Sequence, residues 1–156
     1  MSNLSIGDKA PDFKLYNTEK QLFTLSELKG QKVVLLFFPL AFTSTCTAEL
    51  CGVRDDIANY STLNAKVFGI SVDSAFTLKK FKEDQHLNFE LLSDFNKEAS
   101  KAYDSLYDSF VLDMLGVSKR SAFVIDGEGI IRYAEVLEKA SEIPDLEKVK
   151  EVLSKL

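Results

Sequence analysis

Residues 32–38 read KVVLLFF, an unbroken apolar run behind one lysine, and the run stops at Pro39. Seven positions after that proline, Cys46 stands where a helical pattern begins. An apolar run without alternation suits a central strand covered on both faces. A thiol on the first turn of the following helix lies among free N–H groups and a partial positive charge. Both favour thiolate over thiol. The pattern therefore predicts an α/β protein with an activated nucleophile at the carboxyl end of a buried strand, where ligands of such sheets bind.

The rest of the chain agrees with that centre. Segments 13–16 and 21–24 read as short strands around a turn at 17–20. Residues 26–30 read as one helical turn stopped by Gly30. A helix is expected over 44–63 and a second buried strand over 66–72. An amphipathic helix is expected over 74–85, capped by Ser74, with Phe76, Leu78 and Phe81 facing inward. A strand at 89–94 and a short helix at 96–103 follow. Strands at 121–126 and 130–135 are joined by Gly127, Glu128 and Gly129, a hairpin signal. A helix at 145–156 begins just after Pro144. This order predicts a three-layer α/β fold with a central mixed β-sheet flanked by helices. No repeat or linker interrupts it, so residues 1–156 are expected to form one domain.

Composition narrows the partners. The net charge of −5 argues against nucleic acid, which requires a basic face. The first residues show no basic segment followed by an apolar core, so no secretory signal is expected. The longest apolar stretch, 33–42, is broken by Pro39 and is about half the length of a membrane span. A cytosolic location is the expectation, with no membrane partner. In a reducing compartment the two cysteines, Cys46 and Cys51, are more readily chemical than structural. No glycine-rich phosphate loop is present.

Pro39, Thr43 and Cys46 fit the pattern Pro-x-x-x-Thr/Ser-x-x-Cys, and the chain here resembles the peroxiredoxins. The opening at 6–13 and the stretch 120–126 resemble the same family, so the likeness runs from about Gly7 to Tyr133. Segment 38–43 together with Glu49 resembles the one-cysteine alkyl hydroperoxide reductase E group. The Cys46/Cys51 spacing resembles instead the bacterioferritin-comigratory (PrxQ) group. The resemblance implies a thioredoxin-like fold and reduction of peroxides by a cysteine thiolate, without metal, flavin, haem or nucleotide.

Attack on an O–O bond needs an anionic sulfur, an oxygen in line with it, and stabilisation of the charge on the departing oxygen. Cys46 supplies the sulfur. The Thr43 hydroxyl can both donate and accept, so it can hold sulfur and peroxide. Backbone N–H groups of Thr45 and Cys46 can face the developing charge. The resemblance brings Arg120 from a late strand to the sulfur as a fixed positive charge. Pro39 excludes solvent and offers no competing N–H. Glu49, three residues beyond Cys46 on one helix face, would orient an arginine. Each residue also has a plainer reading. Thr43 can be a helix cap, Pro39 a strand terminator, Glu49 a solvated helix residue, and Arg120 a surface ion-pair partner with rivals in Arg54 and Arg132.

Cys51 carries two readings. It can resolve a sulfenic acid on Cys46 by forming a disulfide, or it can be a buried core thiol while an external thiol resolves. Five helical positions separate the two by roughly 7.5 Å of rise and about 140° of rotation. A bridge therefore requires the first turns of that helix to unwind.

Other residues carry less chemistry. His86, the only histidine, is expected near a helix C-terminus. A copper site of Cys46, Cys51 and His86 is disfavoured because four residues separate the thiols. Dithiol exchange of the thioredoxin type would need Cys-x-x-Cys. Segment 103–117 interleaves apolar residues with acids and can cover the core, wall the substrate mouth, or join a dimer face with Phe42.

The expected activity is a thiol peroxidase acting on hydrogen peroxide and organic hydroperoxides, recycled by a thioredoxin-like reductant. The rival class is a non-catalytic redox sensor or holdase. The resemblance favours a homodimer, with a monomer as the alternative.

Overall fold

The computed structural model describes residues 4–156, so Met1, Ser2 and Asn3, on which part of the signal-peptide reading falls, lie outside the described residues. A seven-stranded sheet forms the centre. Its strands are β1 (Lys14–Asn17), β2 (Leu22–Thr24), β3 (Lys32–Phe37), β4 (Ala65–Ser71), β5 (Glu90–Ser93), β6 (Ser121–Ile125) and β7 (Ile131–Val136). They lie in the order β2-β1-β5-β4-β3-β6-β7. β3, β4 and β5 run parallel, while β6 joins β3 antiparallel and continues into β7. The sheet is mixed, as the sequence predicts.

β3 is buried on both faces because its side chains alternate between two cores. Val34 and Leu36 pack with Leu50, Val53, Tyr60, Leu78, Phe81, Val149 and Leu153. Val33, Leu35 and Phe37 pack on the other face with Phe13, Leu15, Phe123 and Tyr103. The helices supplying these contacts are α1 (Ser44–Asp55), α2 (Ile57–Thr62), α3 (Ala75–Asp84), α4 (Glu98–Ala102) and α5 (Leu146–Ser154). Ser74 caps α3 by accepting from the Thr77 N–H, and Asp145 caps α5 by accepting from the Lys148 N–H.

Two expectations are corrected. The predicted helix over 44–63 is two helices, broken at Asp56 (φ −111°, ψ 8°). The Asp56 carboxylate is held by Lys150 of α5 and by Asn59, so a tertiary contact turns the chain where local propensity would let it continue. Phe76 does not face inward; it is 72 % exposed. At about 100° per residue it sits well away from the stripe shared by Leu78 and Phe81.

His86 lies just past α3 with φ 52°. There its N–H donates to the Glu83 carbonyl and that of Leu87 donates to the Lys82 carbonyl. This left-handed stop explains its place at the helix end.

Candidate active site

β3 ends at Phe37 and the chain remains tied to the sheet through the Phe38 N–H, which donates to the Ile70 carbonyl. Pro39 is buried next to it. The loop that follows is fixed by Asp73, whose carboxylate accepts from the Ala41 N–H at 2.8 Å and from the Ser71 hydroxyl at 2.7 Å. Phe42 takes a positive φ of 69°, and its ring meets Phe81 edge-on at 5.1 Å. The chain then enters α1 through Thr43.

Thr43 is the residue before the helix, yet its side chain makes no capping bond. Its hydroxyl donates instead to the Leu40 carbonyl at 2.8 Å. The plain cap reading therefore does not hold. The hydroxyl proton is committed to the loop, and the oxygen keeps lone pairs for an incoming O–H donor. Because Thr43 does not cap, the N–H groups of Thr45 and Cys46 are not taken by its oxygen. They lie on the first turn, where a helix offers no internal carbonyl.

Cys46 has no exposed surface. Arg120 reaches it from the foot of β6, donating from Nη2 to Cys46 Sγ at 3.2 Å. The same guanidinium donates from Nη1 to Glu49 Oε1 at 2.8 Å and from Nε and Nη2 to the Ala140 carbonyl at 3.2 and 2.8 Å. Arg120 and Glu49 are each 1 % exposed, so this is an ion pair out of water, aimed at a sulfur. Burial works against the Arg120 charge, but its interactions with Glu49 and Cys46 outweigh that and hold its pKa above the ordinary value. Burial pushes the Glu49 carboxyl up to about 7, against the opposing pull of Arg120. Its Oε2 is buried with no hydrogen-bond partner among the described residues, which is costly for a charged oxygen and accounts for the direction of that shift.

The structure thus brings Cys46, Glu49 and Arg120 into contact, while Pro39 lies buried in the preceding loop and Thr43 stands at the entry to α1 with its hydroxyl turned to that loop. The rival arginines are elsewhere: Arg54 pairs with Asp55 and Arg132 with Asp126. Two participants were missed in the sequence. Asp73, which shapes the loop, had a signal in the Ser71-x-Asp73 pattern at a strand end. The Ala140 carbonyl had none, since any residue carries one.

Cys51 lies on the same unbroken α1 as Cys46, and both thiols are free. It is half-buried against the core, and its Sγ donates to Gln85 Oε1 at 3.4 Å. Segment 103–117 divides its work. Tyr103 and Val117 are buried, whereas Val111, Leu112 and Leu115 are exposed, Leu112 at 88 %. Buried serines pin its two ends: Ser100 with Ser118 at 2.7 Å, and Ser121 donating to Ser105 at 3.0 Å.

A mixed sheet of this order, with a dry cysteine at a helix start after the central strand and a buried arginine on its sulfur, defines a thiol-based redox enzyme of thioredoxin-like fold. The chain belongs to the AhpC/TSA family, whose pattern matches residues 6–134, and it is a peroxiredoxin, a thiol-dependent peroxidase. It is 38 % identical over 128 residues to Peroxiredoxin Bcp of Bacillus subtilis, covering 81 % of each chain. It is 37 % identical over 145 residues to Alkyl hydroperoxide reductase E of Mycobacterium tuberculosis, covering 91 % of each. Among solved structures it is similar to Peroxidoxin BcpB from Mycobacterium tuberculosis, with a TM-score of 0.87 at 28 % identity over 99 % of both chains. It is also similar to a cysteine-to-serine mutant of Xylella fastidiosa PrxQ, with a TM-score of 0.84 at 27 % identity over 99 % of this chain and 96 % of that one. Both groups suggested by the motifs are thus represented among its relatives.

Proposed function

We propose that Cys46 is the peroxidatic nucleophile. Its thiolate attacks one oxygen of a hydroperoxide, the O–O bond breaks, and the second oxygen leaves as water or an alcohol after taking a proton. Cys46 becomes a sulfenic acid. The Arg120 guanidinium at 3.2 Å stabilises negative charge on the sulfur and then on the departing oxygen. Thr43 accepts from the hydroperoxide O–H, the Thr45 and Cys46 N–H groups face the reacting oxygens, and Pro39 keeps bulk water out. Glu49 orients Arg120. Cys51 then attacks the sulfenic sulfur, water leaves, and a Cys46–Cys51 disulfide forms. A thioredoxin-like dithiol reduces that disulfide and is itself oxidised.

The single observation that carries this reading is the Arg120 contact to a fully buried Cys46. The experiment is stopped-flow oxidation of wild type, Cys46→Ser and Cys51→Ser by hydrogen peroxide, with mass mapping of the oxidised sulfur. The first variant is expected to be inert. The second should oxidise normally and recycle poorly, and wild type should yield the internal disulfide. A persistent sulfenic acid with Cys51 still free would transfer the resolving role to an external thiol. A single equivalent of peroxide consumed with every reductant would favour a sensor.

We further propose that residues 1–156 act as one domain in the cytosol, as a homodimer. Exposed Phe42, Val111, Leu112 and Leu115 support the dimer, which light scattering of the eluted species would test. Among the described residues no helix is long and apolar enough to cross a membrane.

A further inference from the structure

The second half of α1 is tied to the C-terminal end of α3. Cys51 Sγ donates to Gln85 Oε1 at 3.4 Å, Arg54 Nη1 donates to the Gln85 carbonyl, and Asn88 Nδ2 donates to the Arg54 carbonyl at 3.2 Å. Gln85 closes α3, so its carbonyl lies at the negative end of that helix, where a guanidinium is favoured. The first half of α1 has few such ties. Thr47 bonds back to the Thr43 carbonyl, and Arg120 is the side chain that holds Cys46 and Glu49.

We propose that Gln85 and Arg54 form a latch on Cys51 that sets how fast the Cys46 sulfenic acid is converted to the disulfide. The proposal rests on the reading of Cys46 as peroxidatic and Cys51 as resolving. Five helical positions keep those sulfurs apart, so α1 must open before they meet. Cys51 must also give up its bond to Gln85 and turn away, and the Arg54 tie restrains the turn that carries it. When the latch opens, the Cys51 sulfur bonds to the Cys46 sulfur, the sulfenic hydroxyl takes up a proton, and water leaves. While it stays closed, a second hydroperoxide can oxidise the sulfenic acid to sulfinic acid, itself being reduced to water or an alcohol. Gln85 and Arg54 are thus positioning residues that govern the partition between a recyclable and a dead-end sulfur.

The two ties can be cut separately. Gln85→Ala removes the acceptor for the thiol but leaves the main-chain carbonyl for Arg54, while Arg54→Ala does the reverse. With excess hydrogen peroxide, rapid quenching and mass spectrometry would follow disulfide and sulfinic acid together. Each variant is expected to form the disulfide about fivefold faster, which corresponds to losing one ordinary hydrogen bond of about 1 kcal/mol, and to accumulate correspondingly less sulfinic acid. Gln85→Glu keeps an acceptor oxygen and is expected to stay within about twofold of wild type. Asn59→Ala, which loses a bond in α2, controls for general destabilisation and should leave the partition unchanged. Disulfide formation at the wild-type rate or slower in both alanine variants overturns the latch while the assignment of Cys51 stands. Absence of the internal disulfide in wild type overturns that assignment, and the latch with it.

Discussion

Ser121 stands opposite Phe37 at the last antiparallel rung between β3 and β6. Arg120, one residue before that rung, therefore leaves the sheet at the same end at which β3 hands over to the loop of Pro39. The register of two strands thus fixes the meeting of a charge and a sulfur that are 74 positions apart in sequence. The buried lining of the site, Glu49 at 1 % exposure included, keeps that charge effective by excluding water.

Arg120 serves Cys46, Glu49 and Ala140 at once through a planar fork, which an ammonium cannot reproduce. Arg120→Lys is expected to slow oxidation of Cys46 by hydrogen peroxide about 10- to 100-fold, and Arg120→Leu about 100- to 1,000-fold. Stopped-flow fluorescence or competition kinetics would check it. A wild-type rate in the lysine variant would show that charge alone suffices.

Thr43 separates loop shape from chemistry. Thr43→Val loses the bond to the Leu40 carbonyl and the acceptor proposed for the hydroperoxide, and its oxidation rate is expected to fall about 100-fold. Thr43→Ser keeps both and should retain most of the rate. Similar losses in the two variants would point to the methyl group instead.

Glu49 makes stability depend on pH in an unusual direction. Its folded pKa of about 7 lies above the ordinary value of 4.5. Between the two values the folded chain holds the extra proton, so this group's contribution to stability falls as pH rises from about 4.5 to about 7. Glu49→Gln carries no such proton. Urea unfolding across that range should show wild type losing more stability than the variant, by an amount on the order of 3 kcal/mol at most. Parallel curves would place the Glu49 titration below that range.

Gly69 on β4 lies between Leu36 of β3 and Leu91 of β5. A Cβ there would come within 2.7 Å of Leu91 Cδ2 and 3.3 Å of Phe38 Cε1, two side chains with no exposed surface. Gly69→Ala is expected to destabilise the protein by about 1–3 kcal/mol through overpacking, lowering Tm by about 2–4 °C per kcal/mol. An unchanged melting curve would mean that Leu91 has room to turn.

The sequence carried the centre of this fold clearly because β3 is an apolar run behind Lys32, β4 holds the stretch Val67 to Ile70, and Ser74 is a capping residue in the usual place. The break at Asp56 was not legible, because it depends on Lys150, ninety-four positions away. Phe76 was misread because an apolar residue near a helix start looks inward unless its angle to Leu78 and Phe81 is worked out. At the site, the spacing of Pro39, Thr43 and Cys46 pointed to chemistry, whereas the choice of Arg120 over Arg54 and Arg132 came from family likeness. Strand pairing supplies the physical reason for that choice. The Gln85 contact to Cys51 had no signal at all, since it joins two helix ends whose meeting only the packing of α1 and α3 decides.

A sulfur with no exposed surface is out of reach even of a water molecule, so the pocket must part locally before a hydroperoxide can meet it. A protein thiol is far too broad to reach it there. If the proposed disulfide forms only after a larger opening of α1, the oxidant and the reductant meet different shapes of the same molecule.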